Sequence, residues 1–131
     1  MVGQVLKTMF RKFGLDRSEI FVTSKQGFIG DNSLHEAPSQ LVFEELRQQT
    51  ELEEKDFFVS EDRKNFYSFE PAFLDFSLNY SSRKMGLETI DCAVLDQPYE
   101  TTYYHDMEYA TRERRQERYF ANLARAFEFY E

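Results

Sequence analysis

Ile20-Phe21-Val22-Thr23-Ser24-Lys25 and Leu78-Asn79-Tyr80-Ser81-Ser82-Arg83-Lys84-Met85-Gly86-Leu87-Glu88-Thr89-Ile90-Asp91-Cys92-Ala93-Val94-Leu95-Asp96-Gln97-Pro98 are the two stretches whose reading decides the fold. The first is β-branched and aromatic before it turns polar at a lysine, the composition of a strand covered on both faces. The second contains an amphipathic helix, a glycine stop at Gly86 and a second apolar run over 90–95. Helix, stop and buried strand make a mixed α/β protein the expectation.

The flanking chain extends this pattern. Val2, Val5, Leu6, Met9, Phe10 and Phe13 recur at the three-and-four spacing of one helical face, so a helix is expected over Val2–Phe13, ended by Gly14. Asp16-Arg17-Ser18-Glu19 turns the chain into the first strand, making an αβ unit. After Lys25, the glycines and polar residues of 26–37 read as an irregular loop. Leu41, Val42, Glu45 and Leu46 predict a short helix over Ser39–Gln49. Residues 51–69 are acidic and then aromatic, with Phe57-Phe58-Val59 as a short strand or a packed loop.

Pro71 suits the first turn of a helix that presents Leu74, Leu78, Ser81 and Met85 on one face until Gly86. Residues 99–109, rich in Tyr and acidic side chains, read as loop. A last helix over 111–131 is expected to turn Phe120, Leu123, Ala124 and Phe127 inward. The sequence thus predicts two strands and three to four helices, with no internal repeat. Two strands leave rows of unpaired backbone groups on their edges.

With 131 residues, the chain suits a single domain over 1–131 and falls short of the roughly 250 residues of a complete eight-stranded α/β barrel. The 14 Phe and 8 Tyr, with no Trp, give a small core much apolar area per side chain. A net charge of -8 argues against a general affinity for nucleic acid, because neutralising phosphates is the main source of that affinity. Arg112, Arg114, Arg115 and Arg118 are interleaved with Glu113 and Glu117 and read as a solvated helix face. A single cysteine, Cys92, excludes an internal disulfide and fits a reducing compartment. It lies in an apolar run and reads as an inert core thiol. His35 and His105 have no partners at metal-ligand spacing and read as exposed loop residues. No apolar run is long enough to span a bilayer and no signal-peptide core is present, so no membrane contact and a cytoplasmic location are expected.

The Arg17-Ser18-Glu19-Ile20-Phe21-Val22-Thr23-Ser24-Lys25 string together with Leu87-Glu88-Thr89-Ile90-Asp91 resembles the third strand, third helix and fourth strand of the aldo-keto reductases. The resemblance covers nearly the whole chain, from the end of the family's second helix to its fourth. It implies part of a (β/α)8 TIM barrel, with the two strands adjacent and parallel. It also implies a function by descent, NADPH-linked carbonyl reduction or the reverse alcohol oxidation.

That family uses a tyrosine as general acid, an aspartate and a lysine that tune it, and a histidine that orients the carbonyl. Lys25 stands at the lysine position, where an ammonium favours a neighbouring phenolate and lowers its pKa. Asp96 stands at the histidine position, and an ionised aspartate accepts hydrogen bonds but donates none. The resemblance places the tyrosine and aspartate ahead of Val2, so no residue is assigned to them. Gly27-Phe28-Ile29-Gly30 lacks the spacing of a phosphate-binding glycine loop. The expectation is an inactive chain, or alternatively a non-catalytic interaction module. Self-association or pairing with a complementary half-barrel would then cover the exposed strand edges.

Overall fold

The computed structural model describes residues 2–30, 39–59, 64–96, 98 and 111–131. In chain order the elements are α1 (Val2–Phe13), β1 (Thr23–Gln26), β2 (Phe28–Gly30), α2 (Ser39–Gln49), β3 (Phe58–Val59), β4 (Asn65–Tyr67), α3 (Pro71–Met85), β5 (Cys92–Leu95) and α4 (Arg112–Tyr130). β1 and β5 form a parallel pair, while β2, β4 and β3 form a separate antiparallel sheet with β4 in the middle. The mixed α/β class stands. No barrel closes among the described residues, and the two strands expected from sequence are joined by three more.

Local chemistry explains the element ends. Asp16 caps a single 3-10 turn at Arg17–Glu19 through a capping box, with its carboxylate accepting from the Ser18 amide and Glu19 accepting from the Asp16 amide. Pro71 opens α3, where its missing N–H costs nothing, and Gly86 ends it at φ 69°. Gly27, at φ 88°, is the single residue between β1 and β2. The chain there leaves one sheet and enters the other. Residues 26–37 are therefore not all loop: Phe28, Ile29 and Gly30 pair with Tyr67, Phe66 and Asn65. The rest of that expected loop, residues 31–37, lies outside the described residues, as do 99–109, His35 and His105.

Two apolar clusters flank α3. On one side Phe73 and Phe76 join Ile29, Val42, Phe43, Leu46, Phe57 and Phe66 between α2 and the antiparallel sheet. On the other, Leu74 meets Phe69 and Ala126, with Leu95, Leu123, Phe129 and Tyr130 packed around them. Ser68 ties the sheet to its surroundings: its amide donates to the Gly27 carbonyl at 3.2 Å and its hydroxyl to the Asp56 carbonyl at 2.8 Å. α1 packs on the carboxyl end of α3 through Gly3 and Leu6. A Cβ at Gly3 would lie 2.5 Å from the Lys84 carbonyl oxygen, so this approach requires glycine.

Several expected faces are rotated. Phe21 is 75% exposed, and burial along the first strand alternates, with Val22, Ser24 and Gln26 inside and Phe21, Thr23 and Lys25 outside. β5 is half-buried to exposed rather than buried. Among the described residues the parallel pair is thus covered on one face, by α3 and, at Leu95, by the cluster that includes Ala126 of α4, although parallel sheets are ordinarily covered on both. In α2, Phe43 is buried and Leu41 is exposed. α3 buries Phe73, Leu74, Phe76 and Ser77, while Leu78, Ser81 and Met85 are half-buried. In α4 the inward residues are Leu123, Ala126, Phe129 and Tyr130, whereas Phe120, Ala124 and Phe127 point out. Cys92 is half-buried, not a core thiol. Among the described residues, no helix is long and apolar enough to cross a membrane.

Candidate functional site

The parallel pair fixes the site because both strands run the same way and their carboxyl ends lie side by side. The register matches Thr23 with Cys92 and continues to Gln26 with Leu95, and the Asp96 amide extends it by donating to the Gln26 carbonyl at 2.8 Å. Lys25 and Asp96, the two residues singled out in the sequence, are brought together by this register. Lys25 Nζ lies 2.8 Å from Asp96 Oδ1. The two groups are unequally placed: the Lys25 side chain is 72% exposed and the Asp96 side chain 14%. The result is a recessed carboxylate beneath an ammonium that reaches it from solvent.

Beside this pair Gln26 is wholly buried. Its Nε2 donates to Ser24 Oγ at 3.0 Å, and its Oε1 has no hydrogen-bond partner among the described residues. A buried amide left half satisfied costs stability and specifies little by itself.

A second charged group holds the amino ends of the same strands. Arg17 donates to the Ile20 carbonyl at 2.6 Å, the Thr89 carbonyl at 2.9 Å and Asp91 Oδ2 at 2.7 Å. Asp91 Oδ2 also accepts from the Val22 amide at 2.7 Å. That amide bond first, and the Arg17 guanidinium second, hold the Asp91 carboxyl below the ordinary aspartate range. In the sequence, Arg17 belongs to the turn before the first strand, and both Arg17 and Asp91 belong to the two family-like strings. A carboxylate just before a strand, opposite an arginine just before its neighbour, was the available signal, but only pairing the strands makes it legible.

Tyr130, near the end of α4, has an ionisation displaced from the ordinary value. Burial pushes it up to about 12, and its hydroxyl lies buried without a hydrogen-bond partner among the described residues. A phenol that exchanges protons near neutral pH must move the other way. Tyr130 is a packing residue of the α4 face.

Among the described residues, no cluster of three or more His, Cys, Asp or Glu side chains is arranged to hold a metal ion. The Gly27-Phe28-Ile29-Gly30 run enters β2 and its antiparallel partner β4 instead of forming a phosphate cradle. No family model, curated protein or solved structure matches this chain.

Proposed function

We propose that this chain is a catalytically silent α/β domain of aldo-keto reductase type, related by descent to NADPH-linked carbonyl reduction and unable to carry it out alone. The observation that supports this reading is the Lys25–Asp96 pair at the carboxyl ends of adjacent parallel strands. In the resembled enzymes the lysine acts through its positive field on a phenol. Here a carboxylate at 2.8 Å opposes that field. Ionised, the same carboxylate cannot donate a hydrogen bond to a carbonyl substrate as a histidine would.

The described residues at this end of the sheet do not fit NADPH either. Its phosphates need converging donors or cations, and Lys25 is already engaged with a carboxylate that repels anions. The second reading, a protein-interaction module, draws its support from the apolar surface left in solvent, including Phe21 at 75% and Val94 at 40% exposure.

NADPH consumption by the purified chain, measured against a panel of aldehydes and quinones, tests the first reading. The expected rate equals the protein-free background. Turnover above background that disappears in Lys25→Met would overturn it and make the chain an enzyme.

A further inference from the structure

The inner face of β1 is polar where it meets α3. Val22, Ser24 and Gln26 are the inward residues of the first strand, and α3 packs on that strand. Covered positions in a parallel sheet are ordinarily apolar. Here Gln26 is wholly buried and Ser24 is 9% exposed. α3 brings a hydroxyl to the same seam. Phe73 packs into the cluster that holds Ile29, and Leu74 into the cluster that Leu95 packs against. Ser77, one turn further along α3, lies between those two directions and is buried. Ile29 follows β1 in the chain by way of Gly27 and Phe28, and Leu95 is the cross-strand neighbour of Gln26. The same two clusters therefore flank the inner face of β1 and flank Ser77, which sets Ser77 over the polar positions of the strand.

The Gln26 carboxamide decides what binds in this seam. Its Nε2 donates to Ser24 Oγ at 3.0 Å, and its Oε1 is an acceptor with no donor among the described residues. Turning the amide over exchanges the two roles and still leaves one end without a partner. A group that both donates and accepts suits either orientation. The two ends of a carboxamide are about 2.3 Å apart, which keeps Oε1 within about 5.3 Å of Ser24 Oγ. Two hydrogen bonds of about 2.8 Å span about 5.6 Å, so a single oxygen atom reaches both.

We propose that the seam between β1 and α3 is a binding site for one water molecule, held by the Gln26 amide and the Ser24 hydroxyl on the strand and by the Ser77 hydroxyl on the helix. A buried water ordinarily makes about three hydrogen bonds, and the seam supplies three partners. With Gln26 sealed from solvent, the ligand is the smallest molecule that both donates and accepts. The water joins the strand that carries Lys25 to the helix that covers it, at little less than the strength of a direct bond. This inference goes beyond the functional reading above and does not depend on it.

Oxygen-17 relaxation dispersion of the water signal counts long-lived waters and does not see exchanging hydroxyl protons, which makes it the test. Gln26→Met keeps the length of the side chain and removes both polar atoms. It is expected to lose one long-lived water relative to wild type and to lower the urea midpoint, because it removes an amide whose hydrogen bonds are made. The same change at an amide left orphaned would hold the midpoint or raise it. Ser24→Ala and Ser77→Ala are smaller changes that carry the test if Gln26→Met does not fold. Each should lose the same water, with far-UV circular dichroism as the fold control.

A folded Gln26→Met chain with the wild-type count of long-lived waters, or with a raised urea midpoint, overturns the inference. So does a full count in both serine variants. A count that falls in Ser24→Ala and stays whole in Ser77→Ala would confine the water to the strand and overturn its part in joining α3 to the sheet.

Discussion

Around β2, β4 and β3, the aromatic rings pack face to face and edge to face. Phe43 stacks on Phe66 at 4.3 Å between centroids, meets Phe57 edge-on at 5.1 Å, and Phe57 in turn meets Phe73 at 5.2 Å. Around β1 and β5 the buried hydrophobic cluster shrinks to Phe69, Leu74 and Ala126, beside the buried Val22, Ser24 and Gln26, and the far face of the sheet presents Phe21, Lys25 and Val94 to solvent. The strands of the antiparallel sheet are two or three residues long, and those of the parallel pair four. Strand length therefore does not decide which region is better packed; coverage by helices and aromatic rings does. Among the described residues, the region with the dense core carries no candidate chemistry, and the region with the charged pair is covered by α3 and by Ala126 of α4.

The largest expected effect tests this contrast directly. Phe73 is wholly buried at the centre of the aromatic cluster, so Phe73→Ala should lower stability by about 3–5 kcal/mol, read as a shift in the urea midpoint. Phe21→Ala, the same change on the open face, should stay within about 0.5 kcal/mol. Equal costs at the two positions would mean that the outer face of the parallel pair is covered in solution.

A middle effect is expected where α1 meets α3. Gly3→Ala places a methyl group 2.5 Å from the Lys84 carbonyl oxygen and 3.0 Å from that of Met85. Backbone atoms cannot step aside as a flexible side chain would. The helix must retreat, at about 1–3 kcal/mol by analogy with overpacked cores. A neutral result in thermal unfolding would show that α1 is loosely docked.

The smallest effect sharpens the comparison through pH. Asp91 has a folded pKa below its ordinary value of 3.8, so its contribution to stability is complete above that value and is lost as pH falls through the lower folded one. Asp91→Asn should flatten the acid limb of the stability profile below about pH 4, most visibly in a probe of the parallel pair such as exchange of the Val22 amide. A profile identical to wild type would mean that the Arg17–Asp91–Val22 contacts do not hold the strands in solution.

The helices were legible through a stop or start in α1 and α3, where Gly14 follows α1 and Pro71 and Gly86 bound α3, and through apolar spacing over Val2–Phe13 and Ser39–Gln49. The antiparallel sheet was not legible, because strands as short as Phe58–Val59 contain no measurable alternation and exist only through pairing with β4. Which side of an element faces in was the other failure. Ile20-Phe21-Val22 is apolar throughout, yet its outer face stays open, and α4 has aromatic residues on two sides, of which Phe129 and Tyr130 are the inner ones. At the site, the sequence placed Lys25 and Asp96 through resemblance. The orphaned amide of Gln26 and the Arg17–Asp91 clasp depend on neighbours far along the chain and so could not be read from it.

Gly27 has a mechanical consequence. One residue at φ 88° separates the strand that carries Lys25 from the strand that anchors the aromatic cluster, and the Gly27 carbonyl is itself bound by the Ser68 amide. Lys25 and Phe28, the first residue of β2, stand three peptide bonds apart. The left-handed conformation at Gly27 sets the angle at which the chain leaves the parallel pair, and a side chain there would both strain the corner and meet the Phe69 ring at 3.1 Å.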